Sequence, residues 1–533
     1  MELKRGIGLV APMFAADYYK IGHAVKMQPA DAKMVYSTWT ARSNKYHKDC
    51  AKTMVFGHQY TIQRLLNYWQ AEFFNQPIDL LESEWNRVIK DTFHPGYADF
   101  SKFRKLYELG YLPISIMGVP EGTLLPIGIP DHVIFSTDPE FAWLPQFIED
   151  QWSANNWLPS TSATTAFYRR KLIEPYVKMT CDDMSALPHM CGDFSLRGHT
   201  SLEAGYISGA AHALSFDRTA TIGSNLLLEK YYGADLENNP PLMGTPSLEH
   251  SVVEQGVAWK RAQMFNGELE AEEQALLNTC LSENWEVNLI AEMLFLRHLL
   301  INIQPTGTMT YVADTYDYWG VVSKIVPALR DIIEQRDGCL SIRPDSGDPV
   351  KIICGDTSFA VDPDSPEGKG TLVSLFDTFG GNLNRKGYFE LPSCIRVIYG
   401  DAITPEITEK ICNWCVNNSI SVSNICFGIG AYTYQYVTRD TRGYAIKATD
   451  CILGEDEIQI YKMPKTDPGK KSPRGCVAVV KDSEGQYRLV ENLTLKEAIE
   501  YKDNVMKFKV KDGVFVRENE EDFYTIKNRL MGE

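Results

Sequence analysis

The sequence predicts an α/β protein, an irregular (β/α) barrel accompanied by a second, mixed α/β domain drawn from both chain ends. Two observations carry this. From about Asp150 onward, short apolar runs recur, each ending in a small cluster of Gly, Asp, Arg, Ser or His and each followed by a helical stretch. Strand, polar end and helix in repetition are how a barrel is written, although a doubly wound open sheet gives the same alternation. Before and after that region the chain instead mixes helices with short strands and hairpins. The division this sets is 151–434 for the barrel and 1–150 with 435–533 for the discontinuous domain. At 533 residues the chain can bury at least two cores.

In chain order, apolar periodicity marks helices at Tyr60–Phe74 and Leu81–Thr92 and strands at Lys33–Thr38 and Leu112–Val119. The strand-end clusters follow. They are Gly192-Asp193-Phe194-Ser195-Leu196-Arg197-Gly198 and Met243 to Ser251, then Tyr311 to Asp317, Leu340 to Gly347, Val397 to Asp401 and Ile425 to Gly430. Loops are expected at Asp362–Gly370 and Thr466–Gly475. Beyond them, Met506–Val510 and Val514–Val516 flank Asp512-Gly513, a strong hairpin signal, and Cys476–Val480 with Tyr487–Val490 reads as another.

Composition excludes several classes. Apolar residues are 44% and aromatics 11%, too rich for a disordered chain. The formal charge, 53 − 69 = −16, repels nucleic acid and anionic lipid, so neither is an expected partner. Met1–Tyr19 carries Glu2 and no sustained apolar core, so no secretory signal is read there. The apolar stretch Leu289–Ile303 is broken by Glu292, Arg297 and His298 and reads as a buried or amphipathic helix. Twelve scattered cysteines suit a reducing cytosol, and a cytoplasmic location is expected. Cys412 and Cys415 form the only CxxC, on a helix opened by Thr404-Pro405-Glu406, and no second pair or histidine completes a zinc site.

The strand ends collect two arginines (Arg197, Arg343), five carboxylates (Asp193, Asp314, Asp317, Asp345, Asp401) and His250. Arginine offers a planar fork to phosphate oxygens. Gly400 and the Gly428-Ile429-Gly430 turn let backbone N–H groups approach a phosphate or ribose. Carboxylates suit ribose hydroxyls and hydrated magnesium. The inventory describes a phosphorylated-sugar site. Asp193 and Asp317 read equally well as helix caps, and His199 and His212 as structural histidines. His250 stands apart because Glu249 sits beside it at a strand end.

These clusters, together with Ala16-Asp17-Tyr18-Tyr19-Lys20, Thr438-Arg439-Asp440, Asp467-Pro468 and Lys470-Lys471, resemble the nicotinamide phosphoribosyltransferases over nearly the whole chain. The resemblance implies the type II phosphoribosyltransferase barrel and a homodimer with shared active sites. The substrates implied are nicotinamide and phosphoribosyl pyrophosphate, with Mg2+ as cofactor and ATP as coupling substrate. On this likeness Phe194 stacks on one face of the pyridine and Tyr19 of the partner subunit on the other. Arg197 and Arg343 address amide, ribose and phosphates; Asp345, Gly400 and Asp401 hold the ribosyl part; Gly430 and Ala431 pass near its 5′-phosphate. Arg42, Arg439, Lys447, Lys462 and Lys470 form a basic ring around phosphates. His250 resembles the histidine that ATP phosphorylates in this family, which implies that Glu249 and Asp314 orient it.

The chain departs from the family pattern at Ala220, where an Asp usually receives the amide, and at Ala431, usually Gly. Asp217 is the nearest carboxylate that could substitute at 220. The segment 267–303 is an insertion expected to add a surface helix or alter access. The competing readings are nicotinate phosphoribosyltransferase, a barrel glycoside hydrolase with Asp314 and Asp345 as its acid pair, and a non-catalytic scaffold.

Overall fold

The computed structural model describes residues 10–46, 48, 50–400, 402–463, 465, 466 and 471–532. The chain divides into two units. One comprises Thr165–Asn225 and Pro240–Tyr436; the other holds the chain up to Thr164, Leu226–Asn239 and the chain from Val437. The first boundary falls inside the helix Glu149–Thr180, and 226–239 joins the unit of the chain ends. Neither feature is marked by the alternation of strands and polar clusters.

In the first unit the apolar runs form six strands: β1 (Cys191–Asp193), β2 (Arg218–Thr219), β3 (Met309–Val312), β4 (Leu340–Arg343), β5 (Ile395–Tyr399) and β6 (Ile425–Ile429). They pair in parallel in the order β2-β1-β6-β5-β4-β3. The segment 243–248 fills the gap between the two edge strands. Met243 N donates to Asp217 O at 2.7 Å and Thr219 N to Met243 O at 3.1 Å. Thr310 N donates to Pro246 O at 2.8 Å and Leu248 N to Thr310 O at 3.1 Å. The curled sheet thus becomes a ring of neighbours in chain order, which leaves no strand edge unpaired. Pro246 cannot donate and interrupts the ladder, so this seventh stretch makes only isolated bridges. The predicted barrel is therefore present, with one irregular member.

Helices follow the strands: α1 (Leu202–His212), α2 (His250–Asn266), α3 (Ala271–Ser282), α4 (Val287–His298), α5 (Pro366–Phe379) and α6 (Pro405–Asn417). Three of them, α1, α5 and α6, start at a side-chain cap, and a first-turn proline follows the cap in α5 and α6. Ser201 Oγ accepts from Ala204 N, and Thr404 Oγ1 from Ile407 N ahead of Pro405. The loop expected over Asp362–Gly370 is shorter, because Ser365 caps α5 and the helix begins at Pro366. Gly370 kinks it with φ +75°; a Cβ there would lie 2.2 Å from Gly355 N.

The segment 267–303 supplies the expected surface helix only in part: α3 is mostly exposed, whereas α4 is not. Residues 289–297 of α4 are all buried in the barrel core. Its Glu292 accepts from Tyr311 OH of β3 at 3.0 Å, and burial pushes that carboxyl up to about 7, Tyr311 opposing. On α2, Gly256 admits the Phe295 ring of α4, since a Cβ would stand 2.3 Å from it. Lys260 of α2 pairs with Glu273 of α3 at 2.6 Å, both buried. Of the charges that break the apolar run in sequence, Glu292 is thus hydrogen-bonded inside, and Arg297 pairs with the exposed Glu272. Cys412 and Cys415 are buried on α6. None of the 12 cysteines is in a disulfide; ten are buried and only Cys339 and Cys426 are partly exposed.

The second unit is organised by a seven-stranded antiparallel sheet in the order Asp456–Gln459, Ala445–Leu453, Ala32–Thr40, Pro130–Ser136, Ile114–Gly118, Lys507–Lys511, Val514–Phe515. Period-two alternation gives it two buried faces. Ile114, Ile116 and Ile134 pack among helical aromatics such as Trp69, Trp85 and Phe103. Met117, Val133 and Phe135 face the hairpin of Cys476–Lys481 and Tyr487–Leu493. Both predicted C-terminal hairpins form. No helix among the described residues is long and apolar enough to cross a membrane.

Gly256→Ala is expected to destabilise the protein by about 1–3 kcal/mol through overpacking against Phe295. Adding Phe295→Leu should recover part of the loss. Urea unfolding of the single and double variants tests this, and a wild-type midpoint in Gly256→Ala would contradict the packing.

Candidate active site

A cavity of about 1000 Å³ lies inside the barrel ring, and Phe194, Arg197, Ala220, Glu249 and Arg343 from its strand ends line it. Ring closure brings these residues from distant points of the chain to one wall. Cys339 and Cys426 line the same cavity.

Phe194 follows β1, and its N–H extends the pairing to Ile429 O at 2.8 Å. Its ring lies on two glycines. A Cβ at Gly428 would come within 2.6 Å of the ring, and one at Gly192 within 3.7 Å. The glycines therefore hold a flat aromatic against the wall. Below it Asp193 is fully buried; Oδ1 accepts from Ser195 N at 2.9 Å and Oδ2 has no hydrogen-bond partner. Burial pushes this carboxyl up to about 6 against the pull of Ser195. Asp193 thus caps a turn. Arg197 sits on the following single turn, where Gln435 Nε2 donates to Ser195 O at 2.5 Å and Gly198 leaves room for the Gln435 side chain.

Arg343 ends β4. Its guanidinium reaches Asp345 Oδ2 at 3.3 Å, and its Nε is buried with no hydrogen-bond partner. Asp314 Oδ2 accepts from Asp345 N at 3.1 Å and from Ser346 Oγ at 2.6 Å, fixing the turn after β4. Asp314 Oδ1 is buried and has no hydrogen-bond partner. Tyr399 OH, from β5, donates to Ser346 O at 2.9 Å and Gly347 O at 3.1 Å. Gly400 is required beside this turn, because a Cβ would fall 2.2 Å from Asp345 Oδ1.

His250 opens α2 and is half-exposed. Its Nδ1 lies 3.0 Å from Thr315 Oγ1 and its Nε2 3.9 Å from Asp345 Oδ2. The orientation expected from Glu249 and Asp314 is replaced. Glu249 accepts from Ser251 Oγ at 2.5 Å, and Asp314 is engaged with the Asp345 turn. Thr315, two residues before the Asp317 cap of the next short helix, is the partner that sequence reasoning missed. His212 is structural: it is fully buried between Tyr434 OH at 2.6 Å and Arg218 O at 3.1 Å. Asp217 does not substitute at 220. It lies at the other end of the two-residue strand β2, where it binds His189 Nδ1 at 2.7 Å. Gly430 follows β6, and Ala431 begins the short helix Ala431–Tyr434. Asp401 and Lys470 lie outside the described residues.

Tyr19, Arg42, Arg439, Lys447 and Lys462 belong to the other unit. Tyr19 is half-exposed beside His23, with ring centroids 5.5 Å apart. Burial first, then Asp150, pushes its phenol up to about 12. Lys447 is lowered by burial and by the neighbouring charges of Arg42, Lys462 and Lys20, with Glu149 opposing. Three of the expected basic residues therefore share one electrostatic neighbourhood. Arg42 Nε donates to Gly443 O at 2.9 Å. Arg439 starts a helical turn closed by the Thr438–Thr441 capping box.

A profile described as the nicotinate phosphoribosyltransferase (NAPRTase) family matches residues 189–497, more than half of the chain and all six barrel strands. The chain belongs to this family. Its relatives include the nicotinamide phosphoribosyltransferase of Acinetobacter baylyi, 33% identical over 488 residues and 89% of both chains. The nicotinamide phosphoribosyltransferase of Xanthomonas campestris pv. campestris is 30% identical, over 89% of this chain and 88% of that one. Human nicotinic acid phosphoribosyltransferase shares the fold with a TM-score of 0.55 at 14% identity, over 97% of this chain and 92% of that one. The nicotinate-nucleotide pyrophosphorylase of Pyrococcus furiosus does so at 0.52 and 13%, over 99% and 98%. As a NAPRTase-family protein the chain is a pentosyltransferase, which sets aside the glycoside hydrolase and scaffold readings.

Gly400→Ala should push Asp345 from its place against Arg343, and a displacement of about 1 Å costs roughly 100-fold in rate. The expected outcome is that loss in kcat/KM for phosphoribosyl transfer with little change in thermal midpoint. Wild-type kinetics in the variant would show that the Asp345 carboxylate position is immaterial.

Proposed function

We propose that this enzyme joins nicotinamide to C1 of phosphoribosyl pyrophosphate, giving nicotinamide mononucleotide and pyrophosphate, in the salvage of NAD. The observation that carries the proposal is the Phe194 ring, seated on Gly192 and Gly428 in the same cavity wall as Arg197 and Arg343. A flat aromatic beside fixed guanidinium groups suits a pyridine base brought up to an anionic sugar phosphate. The names borne by the relatives favour the amide as substrate.

In this reading the glycosidic carbon becomes oxocarbenium-like as pyrophosphate leaves, and no protein nucleophile is needed at C1. Phe194 orients the ring nitrogen toward that carbon. Arg343 faces the phosphates while Asp345, held through its backbone by Asp314, takes the ribose hydroxyls. Mg2+ fits the carboxylates of Asp345 and Asp314, whose buried Oδ1 has no hydrogen-bond partner; when bound it neutralises charge on the departing pyrophosphate. The enzyme works as a homodimer in which Tyr19 of the partner subunit covers the second face of the base. Arg42, Arg439, Lys447 and Lys462 supply phosphate contacts, and the protein resides in the cytoplasm.

ATP drives the reaction through His250. With Nδ1 engaged by Thr315, the half-exposed Nε2 attacks the γ-phosphorus; the N–P bond forms as the bond to the bridging oxygen breaks, and ADP leaves with that electron pair. His250→Ala should abolish ATP hydrolysis and its coupling while keeping part of the ATP-independent transfer. ATP hydrolysed at the wild-type rate by the variant would remove this role.

One observation favours a second reading, nicotinate as the base. Ala220 lines the cavity without a carboxylate, and Asp217 is held by His189, so no negative charge at this position repels an acid. An unmet amide donor costs about 1–3 kcal/mol, so Ala220→Asp should raise the preference for nicotinamide over nicotinate roughly ten- to hundredfold. Pyrophosphate release from nicotinamide, nicotinate and quinolinate, with and without ATP, measures this in wild type and variant. A wild-type preference for nicotinate would overturn the amide reading, and an unchanged ratio would show that position 220 does not read the base.

A further inference from the structure

In the unit built from the chain ends, three potential metal ligands converge. Asp450 lies on the strand Ala445–Leu453 and Glu457 on its hairpin partner Asp456–Gln459, in a register that pairs Ile452 with Glu457 and Asp450 with Gln459. Both therefore sit on one face of the pair. Cys476 opens the strand Cys476–Lys481 and is brought there by its neighbour, since Gly475 N donates to Thr449 O at 2.8 Å. One ligand atom from each of the three lies within 4.8 Å of the other two, with Cys476 Sγ 3.9 Å from Glu457 Oε1.

A second observation singles this cluster out from ordinary surface acids. Asp450 is 1% exposed, and neither of its carboxylate oxygens has a hydrogen-bond partner among the described residues. A buried carboxylate left so is costly and calls for a cation or a proton. Cys476 is fully buried, whereas Glu457 is exposed and gives the cluster an opening to solvent. Leu495 N donates to Glu457 Oε1 at 2.5 Å and steadies that side chain.

We propose that Asp450, Glu457 and Cys476 bind one divalent ion of the zinc type, with water in the fourth position. Hard cations such as magnesium and calcium take oxygen donors alone, while one thiolate with two carboxylates suits borderline-soft Zn2+, Co2+ or Cd2+. Tetrahedral bonds of about 2.0–2.3 Å place ligand atoms roughly 3.5 Å apart, so the set closes by about an ångström, chiefly by rotation of the exposed Glu457.

The ion has a structural consequence. Residues 457 and 476 bracket the stretch that carries Lys462, Lys465, Lys471 and Arg474. Above the proposed site the two sides of this stretch are already tied. Lys462 N donates to Ser472 Oγ at 2.9 Å, Ser472 N to Lys462 O at 3.0 Å, and the Arg474 guanidinium lies 3.7 Å above the Tyr461 ring. The metal would close the foot of this basic stalk. That it thereby positions Lys462 for a phosphate rests on the function proposed above; the binding of the ion does not.

The test uses the full chain, stripped with chelator and titrated with Co2+ and Zn2+. One ion per chain and a thiolate-to-Co2+ charge-transfer band are expected. Both should vanish in Cys476→Ser, and in Glu457→Gln, whose exposed position spares the fold, the ion should bind at least tenfold more weakly. No bound metal and no band in wild type, or an undiminished band in Cys476→Ser, would overturn the assignment. Phosphoribosyl transfer is measured on the same samples; a chain that binds Co2+ but transfers to no base would remove the functional reading and leave the metal site standing.

Discussion

The hydrogen bonds that stitch 243–248 between β2 and β3 are the constraint on which the rest of the catalytic unit depends. A curled parallel sheet with two open edges would expose unpaired backbone groups along β2 and β3 and leave its interior open to one side. Closure converts it into a ring, and the direction of every strand then sends its polar end to the same wall. The stitching segment does a second thing. It runs directly into Glu249 and His250, so the residue that opens α2 is delivered by the same hydrogen bonds that close the barrel.

Glycines and buried carboxylates set the finer geometry. Gly428 and Gly400 act by absence, one leaving a bed for the Phe194 ring and the other leaving room for the Asp345 carboxylate. Asp314 and Asp193 act by presence. Each spends one oxygen organising a turn and keeps the other buried without a hydrogen-bond partner. Such atoms are costly in a fold and are retained where the surrounding site uses them.

Much of this was legible in the sequence because it was written in local chemistry. The barrel strands announced themselves as apolar runs ending in polar clusters, and the C-terminal hairpins as alternation around Asp512-Gly513. What was not legible depended on partners distant in sequence. The stitching segment 243–248 carries Gly244 and Pro246, which erase any strand periodicity, so its pairing to two strands is visible only in three dimensions. The helix α4 read as buried or amphipathic although Glu292 and Arg297 interrupt its apolar run; the partners of those charges were not legible, Glu292 finding Tyr311 inside the core and Arg297 pairing with Glu272. Thr315 as the partner of His250, and His189 as the partner of Asp217, are contacts between residues far apart in the chain, which spacing cannot announce.

The distribution of thiols has its own consequence. Ten of the 12 cysteines are buried, and the two that are not, Cys339 and Cys426, both stand on the wall of the barrel cavity. Burial pushes them up to about 11 and about 12, so they are slow nucleophiles at neutral pH. A label found on Cys339 or Cys426 of the native protein has therefore entered the barrel, and a molecule that fills the barrel shields both sulfurs at once. The folded chain carries its own occupancy gauge, readable from the rate at which two intrinsic thiols take up a label.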